Sequence, residues 1–226
     1  SSGLLLKLRD SLKGAQVPRP TKRSLEHLQE GLERQVAQAR RQLSEFFDLF
    51  SRFLESHAQG GAEYERHLRL TPASRAQSLW SRVEIAGENL NLSLKDIEEN
   101  LGRLYSGLEP LPAGGVRDEE NLLLEISSLL EEGERLCSRL GAVVSHPEAD
   151  TIYWGSLGPE GTVSLSTAPL EVGPLLRRSL FSQKESLILT GATLSTEGTF
   201  GYLKRRLGLD YAEELLLGTP FDYLNS

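Results

Sequence analysis

Apolar residues recur along this chain in steps of three and four over long stretches, and then the pattern switches to alternation. From Leu25 the series runs Leu25, Leu28, Leu32, Val36, Ala39, Leu43, Phe46, Phe50 and Phe53, a single stripe on an α-helix. The spacing predicts a helix over residues 22–56, roughly 50 Å long at about 1.5 Å per residue. Pro20 stops the segment before it and Thr21 supplies an N-cap. A second series, Trp80, Val83, Leu90, Leu94, Ile97, Leu101, Leu104 and Leu108, follows Thr71 and Pro72, which suit the N-cap and first turn of one helix. A third helix opens at Asp118 with Glu119 and Glu120 at its positive end, and carries Leu123, Ile126, Leu130, Leu136 or Cys137, and Leu140. A short helix over residues 4–13 precedes all three and is set off by "VPRP".

The breaks between these stripes are short. "QGGAE" and "EPLPAGG" reverse the chain, so the three long helices form an antiparallel bundle. Leu32, Val36, Leu43, Phe50, Leu90, Ile97, Leu101, Ile126 and Leu130 are its expected core. "YERHLRL" alternates weakly and reads as a short strand or an extended crossing. After "SHPEAD" the period becomes two: "TIYWGS" and "TVSLSTA" alternate around the turn "LGPEG", which makes a β-hairpin. A helix over 172–181, a strand "SLILT", a helix over 198–208 and "GTPFDYLNS" complete the chain. The fold class expected is α+β, mostly α, with the helical bundle first and a partial α/β segment last.

Charge changes this picture only locally. The net charge is -7, yet residues 1–41 hold nine cations against four anions, +5, whereas residues 84–134 hold thirteen carboxylates against three cations, -10. The acidic block would repel a phosphate backbone, so nucleic acid would meet the basic start or the C-terminal third. Solvated helix faces account for the same charges more simply. The one cysteine, Cys137, excludes an intrachain disulfide and a four-thiolate cluster within these residues and suits a reducing, intracellular setting. The leading "SSGLLLKLRD" is periodic rather than continuously apolar, which argues against a secretory leader, and the longest apolar runs are too short to cross a bilayer.

Catalytic signatures are absent. No Lys precedes Ser or Thr, so there is no phosphate-binding loop of the GxxxxGK[ST] kind. "RDEEN" has the look of an acidic ATPase box, but it lacks a preceding apolar strand and is better explained as a helix start. His146, Glu148 and Asp150 alternate in "HPEAD", where a loop before a hairpin is a cheaper account than a metal site.

The C-terminal third, taken as a series, carries a resemblance. The aromatic strand "IYW", the join "APLEVGPLLRRSLF", the motif "LTGATL", the helix ending in "RLGL" and the closing "GTPFDY" occur in one order. Together they resemble the DinG branch of the XPD-like, superfamily 2 DNA helicases. The likeness is strong from Thr151 to Tyr223 and rests on place and character alone over the helices. It implies that the chain is an interval of a longer protein, with residues 1–20 at a motor junction, 21–150 a helical Arch insertion and 151–226 a hairpin and partial motor segment. Thr190, Gly191, Ala192, Thr193 and Leu194 would then be the coupling motif III, in which the family usually has Ser where this chain has Gly191. Gly218, Thr219, Pro220, Phe221, Asp222 and Tyr223 would begin the second motor domain.

The same resemblance implies ATP and Mg as cofactors of the intact parent, with no cofactor and no iron–sulfur cluster in this chain. It implies single-stranded or forked DNA as the parent's partner, with weak or no DNA binding by the chain alone, and a cytoplasmic, nucleoid-associated bacterial setting. The implied activity is 5'-3' unwinding in repair or replication. Two alternatives stand beside it: a stand-alone bundle that binds partner helices, and part of a DinG-type exonuclease.

Overall fold

A computed structural model describes residues 2–57, 66–112, 114–191 and 193–218. Packing divides the chain into two units, residues 1–149 with 153–167, and residues 150–152 with 168–226. The protein is mostly helical with a small antiparallel sheet.

In the first unit, α1 (Ser2–Lys13), α2 (Arg19–His57), α4 (Ser78–Leu108) and α5 (Glu119–Val144) carry the apolar stripes. The centre is α4, packed against α2 on one side and α5 on the other. Its direction is fixed at both ends. Gly107 lies against Leu25, while Gly87 lies against Phe46 and Val144, so α4 is antiparallel to both neighbours. Asn100, buried in this interface, donates to the Leu28 carbonyl at 3.1 Å and to Gln35 Oε1 at 2.9 Å. A buried amide must find such partners, which ties the register of α4 to α2.

Two cores result. One gathers Leu4, Leu8 and Leu12 with Leu25, Leu32, Leu104, Leu108, Leu122 and Ile126. The other gathers Phe46, Phe50, Phe53, Trp80, Val83, Leu90, Leu140, Val143 and Val144 with Tyr153 and Leu157 of the sheet. That sheet has the order β1 (Arg66–Arg69), β2 (Thr151–Leu157), β3 (Val163–Pro169). β1 pairs antiparallel with β2, Arg66 opposite Leu157 and Arg69 opposite Trp154, so "RHLR" within "YERHLRL" is a strand, Tyr64 and Glu65 lying outside the described residues. The hairpin turn closes through Gly158 N–H to the Thr162 carbonyl at 2.8 Å, with Gly161 at φ 75°. Gly155 lets the sheet touch the bundle: a Cβ there would stand 2.5 Å from Phe50 Cζ and 2.6 Å from Leu54 Cδ2.

The structure departs from the sequence pattern in several places, among them the helix expected over 198–208, which begins only at Gly201 after a turn at Thr196–Thr199. α2 begins at Arg19, with Pro20 and Thr21 already helical, because proline lacks only an N–H that the first turn leaves unbonded anyway. Thr71 does cap a helix, accepting from Ser74 N–H, but α3 (Pro72–Arg75) is a single turn and Gln77 is extended before α4 starts. This break lets Arg75 donate to the Val144 carbonyl at the end of α5 at 3.0 Å and lie 4.8 Å over the Trp80 ring. Of the expected core, Leu43 is 44% exposed, and Val36, Ile97 and Leu130 are only half-buried. Leu43 belongs to the apolar stripe of α2, but none of the described residues covers it, and the same holds for Leu136 on α5. Another departure, at "SLILT", lies in the second unit. "QGGAE" falls outside the described residues.

Gly87 and Gly102 give a paired test of the α4 packing. A Cβ at Gly87 would stand 2.8 Å from Val144 Cγ2, a stiff buried side chain, whereas one at Gly102 meets nothing within 4 Å. Gly87→Ala should destabilise by about 1–3 kcal/mol through overpacking. Gly102→Ala should stabilise by roughly 0.5–1 kcal/mol by stiffening the unfolded chain. Urea unfolding followed by circular dichroism checks both signs.

Candidate motor-coupling segment

The C-terminal unit is built around two short helices, α6 (Gly173–Ser179) and α7 (Gly201–Leu207). α6 starts with Gly173-Pro174, and proline suits that first turn. α7 ends on Gly208 at φ 70°, the left-handed cap that glycine adopts without strain. The two ends touch through bare backbone: a Cβ on Gly173 would lie 2.8 Å from Gly208 N, and one on Gly208 would lie 2.8 Å from the Gly173 carbonyl oxygen. Arg177 fastens the contact. Its Nε and Nη2 donate to the Gly208 carbonyl at 3.3 and 3.0 Å, Nη2 reaches Asp210 at 3.2 Å, and the guanidinium lies 5.7 Å over the Tyr211 ring. Lys204 reaches the Ala212 carbonyl at 3.0 Å and Glu214 at 2.8 Å. "VGPLLRR" and "RLGL", distant in sequence, are therefore one packed contact.

Between them runs the expected motif. "SLILT" is not a strand: it pairs with nothing among the described residues, and Leu187, Ile188 and Leu189 are 42%, 88% and 46% exposed. An apolar run with no alternation suits a strand covered on both faces and paired at both edges, and neither cover nor pairing is supplied by the described residues. Thr190, Gly191 and Thr193 are exposed and Leu194 is half-buried, while Ala192 lies outside the described residues. Thr190 and Thr193 thus stand three residues apart on an open segment, with hydroxyls directed to no protein partner among the described residues. A Cβ on Gly191 would stand 3.3 Å from Leu194 Cγ, which a small shift of that side chain relieves. The chain then makes a two-residue turn, Thr196 and Thr199 exchanging N–H···O bonds of 2.9 and 3.0 Å with Glu197 and Gly198 at positive φ. Of the last expected group, Gly218 is exposed, and Thr219, Pro220, Phe221, Asp222 and Tyr223 lie outside the described residues.

Curated proteins resemble this chain in sequence. It is 27% identical over 150 residues to the 3'-5' exonuclease DinG of Bacillus subtilis, covering 64% of this chain and 16% of that protein. It is 33% identical over 116 residues to the ATP-dependent DNA helicase DinG of Photobacterium profundum, covering 47% and 17%. It is 38% identical over 60 residues to the ATP-dependent DNA helicase YoaA of Escherichia coli, covering 26% and 9%. The chain's relatives are DinG-type proteins. The matches span about a sixth of the length of the two DinG proteins. No family model matches the chain, and no solved structure matches it.

Among the described residues no group of three or more His, Cys, Asp or Glu could hold a metal ion, and no helix is long and apolar enough to cross a membrane. His146, Glu148 and Asp150 are drawn into no such group. Nothing in the sequence pattern alone singles out Arg177 or the Gly173–Gly208 contact. A Gly-Pro helix start and a later Gly helix end are the only trace they leave, and that pairing becomes meaningful once the two meet.

Gly208→Ala should loosen this unit more than Arg177→Ala. The first strains a positive φ and drives a methyl into the Gly173 carbonyl. The second removes hydrogen bonds worth about 0.5–1.5 kcal/mol, with the exposed Asp210 pair adding little. Hydrogen exchange of α6 and α7 amides should rank them in that order, and Gly191→Ser should leave exchange unchanged.

Proposed function

We propose that this chain is an internal piece of a DinG-type ATP-dependent DNA helicase, supplying the helical Arch insertion and the segment that couples ATP hydrolysis to strand separation. The observation that carries this reading is the ordered set of C-terminal motifs, supported by the helicase names of two relatives. The helical unit, residues 21–150, acts as the Arch that helps enclose single-stranded DNA during 5'-3' unwinding, through backbone and stacking contacts. Residues 151–226 return to the motor, with Thr190 and Thr193 as the coupling hydroxyls and Gly218 to Tyr223 opening the second motor domain. The setting is a bacterial cytoplasm, close to the nucleoid.

ATP and Mg belong to the parent. Phosphoryl transfer needs a phosphate cradle, a metal-holding carboxylate and a charge-stabilising arginine together, and this sequence has no phosphate-binding loop. The exposed "SLILT" and "ELLLG" runs support the same reading. They have the character of strands that find their sheet in the rest of the motor. A second reading is favoured by the B. subtilis relative, a 3'-5' exonuclease: the parent degrades DNA and uses this region to hold its strand.

The purified chain should neither hydrolyse ATP nor bind it tightly, and DNA-stimulated turnover that survives Thr193→Ala would end the reading. In the parent, Thr193→Ala should lower strand separation per ATP hydrolysed several-fold while leaving ATP and DNA binding nearly intact. Losing one hydroxyl from a coupling network is worth about 0.5–1.5 kcal/mol, enough to shift a two-state motor. Degradation of single strands without unwinding by the parent would favour the exonuclease.

A further inference from the structure

The two cores of the helical unit are joined by an apolar groove of about 910 Å³ whose walls are α2 and α5 and whose floor is α4. Leu43 and Leu136, on opposite walls, are 44% and 52% exposed. Arg40 and Arg139 stand on the same two walls, exposed, and neither guanidinium has a partner among the described residues. At one end the groove is stopped by Leu165 to Thr167 of β3, and at the other by Leu4 and Leu5 of α1.

The direction of α1 identifies what belongs there. Gln16 N–H donates to the Gly115 carbonyl at 2.7 Å, Lys7 meets Glu125 at 2.8 Å, and Leu4 and Leu5 share the groove with Leu129. α1 therefore runs antiparallel to α5. It also runs antiparallel to α2, since Lys22 donates to the Lys13 carbonyl at 2.9 Å while Leu4 and Leu5 lie beside Leu32. The N-terminal end of α1 points along the groove, in the seat of a fourth bundle helix.

We propose that in the parent protein the residues immediately upstream of Ser1 continue α1 as a helix through this groove and complete a four-helix bundle. This rests on the reading that the chain is an internal piece of a longer protein. The register sets the length. Val143, the last groove residue of α5, lies 18 positions beyond Glu125, so it faces a position roughly a dozen residues upstream of Ser1. Phe47 on α2, 25 positions beyond Lys22, gives the same answer. The missing piece is about three turns, near 18 Å. Its groove side carries apolar residues at three- and four-residue steps. A helix from a separate protein would have to share this seat with the chain that leaves α1.

The test compares the chain with the chain extended by its own upstream residues from the parent gene. Leu43→Cys is placed in both, and maleimide labelling is timed against the buried Cys137 as reference. Labelling at position 43 should slow roughly tenfold or more in the extended chain, because the thiol then reacts only after the helix lifts. Leu136→Asp, at an exposed position of the shorter chain, should leave that chain's melting unchanged and abolish the protection in the longer one. A synthetic peptide of the same upstream residues should slow labelling of the shorter chain, a readout independent of how the longer chain folds. Unchanged labelling with both extension and peptide, or protection that survives Leu136→Asp, overturns the inference and leaves the helicase reading standing. A parent gene that starts at this chain overturns both.

Discussion

The helical unit depends on one aromatic node. Phe50 and Phe53 stack along α2, with ring centroids 6.5 Å apart, and both meet Trp80 edge-on from α4 at 6.5 and 5.2 Å. All three are essentially sealed from solvent. Large rings of this kind dominate the energy of a core and favour offset or edge-to-face contact over a random pile. Around the node, glycine does what no other residue could. Gly87 admits Val144 of α5, and Gly155 admits Phe50 and Leu54 to the sheet. Arg75 closes the top, held between Trp80 and Tyr153 and bonded to the end of α5. Burial lowers its pKa from the ordinary arginine value, and the two rings and the Val144 carbonyl are what accept the guanidinium there.

The groove follows from this arrangement. α4 is tied to α2 at one end by Leu25 and Gly107 and at the other by the aromatic node, and it is tied to α5 along its other side. α2 and α5 then stand parallel to each other on either side of α4. Among the described residues α1 reaches only one end of the space between them, through Leu4 and Leu5. The exposed Leu43 and Leu136 are thus consequences of topology rather than defects of patterning.

The C-terminal unit works on a different principle. Its order comes from backbone contact, a glycine helix start against a glycine helix end, with Arg177 bridging them. Its apolar runs at 187–189 and 215–217 stay in the open. Cys137, in the helical unit, shows the contrasting case: burial pushes its thiol pKa up, as expected of a small apolar side chain in a core.

Much of the fold was legible because helices declare themselves locally. The steps of three and four placed α1, α2, α4 and α5, and the switch to alternation placed the hairpin, since both periods are properties of the backbone alone. Turn composition marked the hairpin turn at Gly161 for the same reason. The relation to DinG-type proteins was carried by short motifs in order, which a sequence displays directly. What needed the tertiary structure was every feature set by a partner. "SLILT" has the composition of a strand, but a strand exists only when another backbone bonds to it. Leu43 lies on the same stripe as Phe46 and Phe50, yet whether a stripe residue is covered depends on which helices surround it. Thr71 and Pro72 announced a helix start without announcing that the helix would last one turn, because that break serves Arg75, Trp80 and the end of α5, residues far apart in the chain. Periodicity fixes which way a side chain points on its own element; only packing decides what stands opposite.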